Sequence, residues 1–414
     1  MGKAIIIGAG IIGLSSAYYL QQAGWEVTIL EKGDLSDNCS FGNAGMLVPS
    51  HFVPLAAPGM LEKGIKWMFN SKSPFYVKPS LNLNLVDWGL KFMKSANKKQ
   101  AENAAVPLRD ISLLSKDLYT DMAAKIGDFG LTNNGILMLY KTDKVGEEEL
   151  HIAEQARALG LDVVSLSAAE AQKLQPDLKL NVLGGIHYRC DAHLDPNRLM
   201  LQLATYLKKS GVKILKNTEV TKIIQDKGKI SKVIAANQEY TADHYVLAGG
   251  SWSPAIAKLA SFKIPLMPGK GYSFKIDDTH KNMHIAALLC EAKVSVTPMG
   301  NQIRFGGTME IDAINDRINM NRVRGIVESI PQYFPDLNPA VPATNDIWFG
   351  FRPCSPDGLP YLGNSKTLAN LTVATGHGMM GVSLGPATGK LVAELISEKR
   401  LSMDIAPFSA NRYL

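Results

Sequence analysis

Cysteine is scarce. The chain has four in 414 residues, Cys39, Cys190, Cys290 and Cys354, and no two lie close in sequence. With no CxxC pair there is no signature of a zinc site, an iron–sulfur cluster or a disulfide framework, so reduced thiols and no metal centre are expected. A strong charge of one sign is also missing. The net charge is +6 and the basic residues are dispersed, which removes nucleic acid from the expected partners and leaves an excess suited to an anionic substrate or membrane surface. No run of 18 apolar residues occurs, so no bilayer-spanning helix is expected. The apolar run that opens at Ala4 stops after four residues, at Gly8, far short of a secretory core; the cytoplasm is the expected location. Repeats and low-complexity tracts are absent.

What remains is an ordinary globular composition, 46% hydrophobic and 20% charged, long enough to bury a core without staples. The length suits two domains, or one α/β domain with an insertion. Ala4–Ile7 reads as a buried parallel strand, followed by a glycine turn, a helical pattern through Leu20 and a second strand over Glu26–Leu30. From Pro49 to about Lys94 no single period emerges. Helices are expected over 106–124 and 147–159, and over 196–209 with Pro196 opening it. Strands are expected over Ile136–Tyr140, Gly185–Tyr188, Tyr272–Ile276, Val294–Thr297 and Ile303–Gly306, near turn residues as an antiparallel sheet requires. Strands at 212–215 and 244–248 are placed to return to the first unit. Leu371–Thr375, Gly376-His377-Gly378 and a helix to about Glu398 repeat the opening strand–glycine–helix design. The expected fold is α/β: a Rossmann-like nucleotide-binding domain of discontinuous segments (1–50, 195–256 and 345–414) plus an antiparallel-sheet substrate domain (51–194 and 257–344).

The strongest motif is Gly8-x-Gly10-x-x-Gly13. It follows a strand and opens a helix, and Glu31 stands at the end of the next strand. Gly8 permits the tight turn, Gly10 lets a pyrophosphate approach the backbone, and Gly13 lets helix and strand pack closely. The helix N-terminus offers N–H groups to phosphates, and Glu31 an acceptor for ribose hydroxyls. The motif alone does not separate FAD from NAD. Two later loops favour flavin. Ser40-Phe41-Gly42-Asn43-Ala44-Gly45-Met46 is small enough to lie against a flat ring, and Gly376-His377-Gly378 leads into a helix whose N-terminus would stabilise negative charge.

These motifs, with Pro54-Leu55-Ala56-Ala57-Pro58-Gly59, Ile65-Lys66-Trp67-Met68-Phe69, Lys270-Gly271-Tyr272-Ser273 and Gly350-Phe351-Arg352-Pro353-Cys354-Ser355-Pro356-Asp357-Gly358, resemble the D-amino acid oxidase superfamily of flavoproteins over nearly the whole chain. The pattern is most similar to the small-subunit type of bacterial D-amino acid dehydrogenase and its D-hydroxyproline-oxidising relatives. The resemblance implies FAD bound noncovalently: relatives that link flavin to protein carry a cysteine two positions before the residue matching Arg352, where this chain has Gly350. The residues expected around FAD are Gly8, Gly10, Ile12, Gly13, Glu31, Lys32, Ser40, Asn43, Ala44, Gly45, Met46, Val220, Gly249, Trp252, Gly376, His377, Gly378, Met379 and Gly381.

Arg352 is the foremost candidate for substrate binding. Its planar fork matches a carboxylate, and the resemblance assigns the matching arginine that task. The other reading is a structural ion pair with Asp357. Tyr272 is either a second carboxylate contact or an ordinary half-buried strand tyrosine. Met46 either lines the pocket or is a core methionine. His51 and His377 are tempting as bases, but a satisfied histidine is the simpler reading. The expected reaction is hydride removal from Cα of a small amino acid, needing no general base if the amine binds neutral. The resulting imine hydrolyses to a 2-oxo acid and ammonia, and electrons pass to a quinone or another carrier. Two alternatives stay open: an oxygen-using glycine, sarcosine or proline oxidase, and a flavin-binding subunit of a heteromeric complex. Aromatics and lysines between Leu55 and Met93 (Trp67, Phe69, Phe75, Tyr76, Trp88 and Phe92 with Lys63, Lys66, Lys72, Lys78 and Lys91) suit peripheral contact with a membrane. Oligomeric state is not legible.

Overall fold

The computed structural model describes residues 2–36, 38–56, 73–78, 82–278 and 282–414. Trp67, Met68, Phe69, Lys63, Lys66, Lys72 and the Pro58-Gly59 end of its motif lie outside them.

Two sheets organise the molecule. The first has six strands in the order Tyr361–Asn364, Leu371–Thr375, His244–Leu247, Lys3–Ile7 (β1), Glu26–Leu30 (β2), Lys213–Leu215. All neighbours are parallel except the first pair. The strand order reverses at β1, so the crevice past its C-terminal end is where an open α/β sheet takes a ligand. β1 is buried from Ala4 to Ile7, as continuous apolar strands in two-faced sheets are. The helix that follows, Ile11–Gln22 (α1), is buried almost all round. Its partner is the equally buried Gly381–Ile396 helix. The two approach through glycine: a Cβ on Gly389 would lie 2.4 Å from the Ser15 carbonyl carbon, and one on Gly385 2.8 Å from Ile11. A long helix, Lys98–Ile126, covers this pair, and its Tyr119 hydroxyl donates to the Val382 carbonyl at 2.6 Å. Leu108, Ile111 and Met122 of that helix share one core with Ile6 and Leu14, although the helix lies far from them in the chain.

The second sheet runs Trp348–Cys354, Met267–Asp277, Gln302–Ile311, Val294–Met299, Ala286–Leu289, Ile136–Tyr140, Gly184–Tyr188, Val163–Ser167. It is antiparallel as expected, with two exceptions. Ala286–Leu289 runs parallel to Ile136–Tyr140, and the short strand Phe75–Val77 runs parallel to Met309–Ile311. One face packs on the Met320–Tyr333 helix through Tyr272, Phe274, Phe305, Val323 and Ile330. The other faces the glycine-rich loop after β2.

The expected helices and strands are present with shifted ends. The helix expected over 106–124 begins at Lys98 and runs through Pro107, and the one expected from 147 begins at Asp143, capped by Thr142. Pro196–Lys209 begins at the proline, with Asp195 accepting from the Asn197 and Arg198 N–H groups. A short 3-10 turn, Gly378–Met380, separates the Gly376 loop from its helix. A separate three-stranded sheet over Val220–Asp226, Lys229–Ala235 and Gln238–Tyr240 was not expected.

Candidate active site

The loop after β1 is built as its glycines require. Gly8 has φ +107°, and a Cβ there would meet the Ala248 carbonyl oxygen at 2.6 Å. A Cβ on Gly13 would lie 1.9 Å from the Gly8 carbonyl oxygen. Gly10 is the N-cap of α1 and supplies no side-chain cap, and beside it the nearest atom to an added Cβ is Ser40 Oγ at 3.6 Å. Ser40 Oγ accepts from the Ile11 N–H at 3.0 Å. The first turn of α1 carries no acidic residue, so its positive end stays open to an anion. Glu31 is tied into the same loop: its carboxylate accepts from the Ala9 N–H at 2.7 Å and the Gly33 N–H at 2.8 Å. Each oxygen keeps capacity for a further donor. Next to it, Lys32 Nζ lies 3.5 Å from the Trp252 ring centre, and the Thr218 N–H, two residues before the buried Val220, donates to the Glu31 carbonyl. Gly249 turns the chain into the Gly250–Trp252 segment. Gly8 thus neighbours Gly249, Glu31 is tied to the Ala9 and Thr218 backbone, and Lys32 to Trp252, all at the end of β1 and β2.

The second glycine loop joins this end of the first sheet to the large sheet. Arg304, buried on the Gln302–Ile311 strand, donates to the Phe41 and Asn43 carbonyls at 2.9 and 2.6 Å and to Asn197 at 3.1 Å. Burial pulls its guanidinium down to about 10. Ser273 Oγ donates to the Gly42 carbonyl, and the Trp348 indole lies against Gly42 and Gly350. Asn43 accepts from the Gly45 N–H and reaches the Met379 carbonyl at 3.4 Å. Half-buried Ala44 precedes Gly45 (φ +74°) and Met46, which packs near Met380, Val48 and Ile136. From the opposite side, Cys354 forms a β-bridge to His377, bringing the Gly376 loop to the strand of Arg352. Gly378 has φ +54° and no atom within 4 Å of an added Cβ, and Gly381 opens the last helix near Ile11. His377 is no base here: its Nε2 bonds Thr388 Oγ1 at 3.0 Å and burial lowers it to about 3.

Arg352 is the chemically distinctive group. Its guanidinium is half-buried, lies against Gly271 (an added Cβ there would sit 2.1 Å from one terminal nitrogen), and donates to the Thr308 carbonyl at 2.7 Å. No carboxylate lies within ion-pair distance of it among the described residues. Burial lowers its pKa, yet an arginine stays charged. The ion pair with Asp357 does not form. Asp357 is held by Arg412 at 2.6 and 2.9 Å, which instead fixes the turn behind the arginine. Cys354 beside it is buried, and burial pushes its thiol up to about 12, which keeps it from acting as a thiolate nucleophile.

The structure does not bring Tyr272 to this group. Gly271 faces the guanidinium, so Tyr272, one residue on, faces the other side of the strand. There its hydroxyl donates to Glu310 at 3.3 Å and accepts from the Asn319 N–H at 3.1 Å, and burial raises it to about 12. His51 bonds Ser50 Oγ at 3.3 Å and is neutral, lowered to about 4 by burial and then by Lys293. Ser50 in turn donates to buried Asp191 at 2.6 Å. Arg304 and Thr308 escaped notice in the sequence. The run Gly306-Gly307-Thr308 inside a strand pattern is the signal that was there.

The chain matches the FAD dependent oxidoreductase family (DAO) over residues 3–395. It belongs to that family. D-amino acid dehydrogenase of Helicobacter pylori is 31% identical over 99% of this chain and 98% of its own length. That of Granulibacter bethesdensis is 30% identical, with 99% of both chains covered. Among solved structures, glycine oxidase from Geobacillus kaustophilus aligns over 100% of both chains with TM-score 0.79 at 24% identity. L-proline dehydrogenase from P. horikoshii aligns over 100% of this chain and 97% of its own with TM-score 0.77 at 20% identity. These two fix the fold. The protein is an FAD-dependent oxidoreductase, and the loop after β1 and the Gly376 loop fit its cofactor: neither Gly10 nor Gly378 has an atom within 3.5 Å of an added Cβ, and the first turn of α1 carries no acidic residue. No helix among the described residues is long and apolar enough to cross a membrane.

Proposed function

We propose that this family member oxidises the Cα–N bond of a small D-amino acid, with D-proline or D-hydroxyproline as cyclic variants. One observation carries the reading: Arg352 is a half-buried, charged fork without a carboxylate of its own among the described residues. Charges removed from water are normally paired, so a substrate carboxylate is the natural partner. The names of the two relatives at 30–31% identity point to the same substrate class. FAD, when bound, would supply the acceptor for the hydride removed from Cα. Arg352 holds the carboxylate, and Gly271 leaves room for the guanidinium to lie flat on the strand. His51 is hydrogen-bonded to Ser50, His377 to Thr388 and Tyr272 to Glu310, so none of the three is assigned as a base. Hydride removal needs none if the amine enters neutral.

The test is anaerobic bleaching of the bound flavin's visible absorption by paired D- and L-amino acids and both 4-hydroxyproline epimers. Bleaching by D-forms alone is expected. Bleaching by L-forms alone, or by none of them, would sink the reading. Electrons then pass to a quinone or another carrier, so turnover should be fast with a quinone analogue and slow with oxygen; fast oxygen consumption would select an oxidase instead.

A peripheral membrane contact is part of this proposal. Leu83, Val86, Leu90 and Met93 are 83%, 50%, 58% and 47% exposed on the Leu83–Ser95 helix. Spaced three, four and three residues apart, they share one face spanning roughly 80°. Lys94 borders that face, and the opposite face buries Trp88 and Phe92. Trp88 Nε1 donates to the Cys354 carbonyl at 2.9 Å, which anchors the helix two residues from Arg352. Apolar residues edged by lysine suit an anionic lipid surface. The protein should co-float with phosphatidylglycerol vesicles, and V86E/L90E should stay at the bottom of the gradient with flavin content unchanged. A wild-type protein that does not float would exclude the contact.

A further inference from the structure

We propose that Thr308 is a second contact for the substrate carboxylate, its hydroxyl donating to the anion that Arg352 holds. The inference rests on the reading of Arg352 given above and adds a residue to it.

Three independent observations meet at Thr308. The first is its place. Tyr272 pairs with Gly307 and Lys270 with Glu310, so Thr308 and Met309 together stand opposite the single residue Gly271. That is a β-bulge, and bulges re-aim side chains beside active sites. Gly271 is also the residue against which the Arg352 guanidinium lies, and the Thr308 carbonyl accepts from that guanidinium at 2.7 Å. The second is backbone strain. Thr308 has φ +62°, a left-handed conformation that a β-branched residue adopts rarely and at a cost. Two glycines precede it, so the chain had residues suited to such a turn, yet a threonine stands there. The third is the hydroxyl. Thr308 is 7% exposed, and its Oγ1 is enclosed with no hydrogen-bond partner in the protein. A buried hydroxyl without a partner destabilises the free protein, unlike one that finds its partner on binding.

Other enclosed polar atoms have no such neighbour. Ser15 and Ser112 lie in helices of the nucleotide-binding half. Among the described residues, Thr308 is the one that combines an idle donor with a backbone bond to the arginine. A carboxylate has two oxygens with two lone pairs each. A guanidinium fork leaves some of that capacity open, and a neutral donor at the edge of the fork orients the carboxylate plane.

The experiment uses the FAD-loaded protein and acetate, a carboxylate without an amine, as a probe read by the perturbation of the flavin spectrum. T308V keeps the branch and removes the hydroxyl, T308A removes both and guards against misfolding of the valine variant, and T308S keeps the hydroxyl. T308V and T308A should raise the acetate Kd roughly tenfold, the size of one hydrogen bond to a charged group. T308S should stay within about twofold of wild type, a rescue that a purely structural role would not produce. The rate of flavin reduction at saturating D-alanine should change less than the D-alanine Kd. Equal acetate affinity in wild type, T308V and T308A would overturn the inference, as would equal loss in all three variants. R352A measured in parallel separates the two claims. Loss of acetate binding in R352A with none in T308V and T308A leaves Arg352 standing and removes Thr308; unchanged binding in R352A removes both.

Discussion

Replacing Arg352 by alanine should lower the rate constant for flavin reduction divided by substrate Kd by about 30- to 1000-fold, the equivalent of roughly 2–4 kcal/mol for a buried carboxylate that loses its ion partner. FAD content should not change, because the guanidinium bonds the Thr308 carbonyl and rests on Gly271, away from the α1 loop. Lysine should recover only part of the loss, since a point charge cannot match both carboxylate oxygens. The same change has a second signature. In the free protein the charge is partly removed from water without an anion, so methionine at this position should leave the melting temperature equal or higher while activity falls. Rapid-mixing reduction and thermal melts on R352A, R352K and R352M settle both points. A reduction efficiency within threefold of wild type in R352A would remove the arginine from substrate binding.

Gly13→Ala should yield a protein purified without flavin. An added Cβ would sit 1.9 Å from the Gly8 carbonyl oxygen, far inside contact distance and against backbone that cannot rotate away. Helix α1 must then move off β1, which carries its N-terminal N–H groups out of line with the pyrophosphate. Gly24→Ala is the matched control. It is also left-handed, φ +87°, but nothing lies within 4 Å of the added atom. It should cost about 1 kcal/mol of stability and keep its FAD. The ratio of flavin to protein absorbance distinguishes the two. Full flavin in Gly13→Ala would mean that the close helix–strand approach is dispensable.

Much of the nucleotide-binding half was legible because its signals are local. A buried strand, three glycines at fixed spacing and an acidic residue at the next strand's end occupy the first 31 residues, and the Gly376 loop restates the pattern. Arg352 was legible for a similar reason, standing in a proline-flanked segment. The role expected of Tyr272 failed on strand alternation. Gly271 holds the face toward Arg352, and tyrosine next to it has to face Glu310 and Asn319. The Leu83–Ser95 helix hid because its apolar stripe is unusually wide, running from buried Trp88 and Phe92 round to exposed Leu83, Val86, Leu90 and Met93, and because it is preceded by a stretch with no clear period. The hairpin of the three-stranded sheet turns at Lys227 and Gly228, both with positive φ. Asparagine or aspartate before the glycine would have announced that turn, and lysine does not. The bulge at Thr308 depends on which residues pair across two strands, which one strand's sequence does not carry.

The pairing of α1 with the Gly381–Ile396 helix also bears on how the protein is made. Residues 11–22 emerge during synthesis more than 350 residues before the helix that covers them, with Gly385 and Gly389 seated on Ile11 and Ser15. The sheet strand Leu371–Thr375 arrives equally late. A nascent chain of 300 residues therefore holds the phosphate loop with one flank of its helix bare, apolar and unable to close. Long-range contacts of this kind form slowly and leave such surfaces exposed to association in the meantime. A closed phosphate loop therefore requires the Gly381–Ile396 helix to be in place before the cofactor can be held.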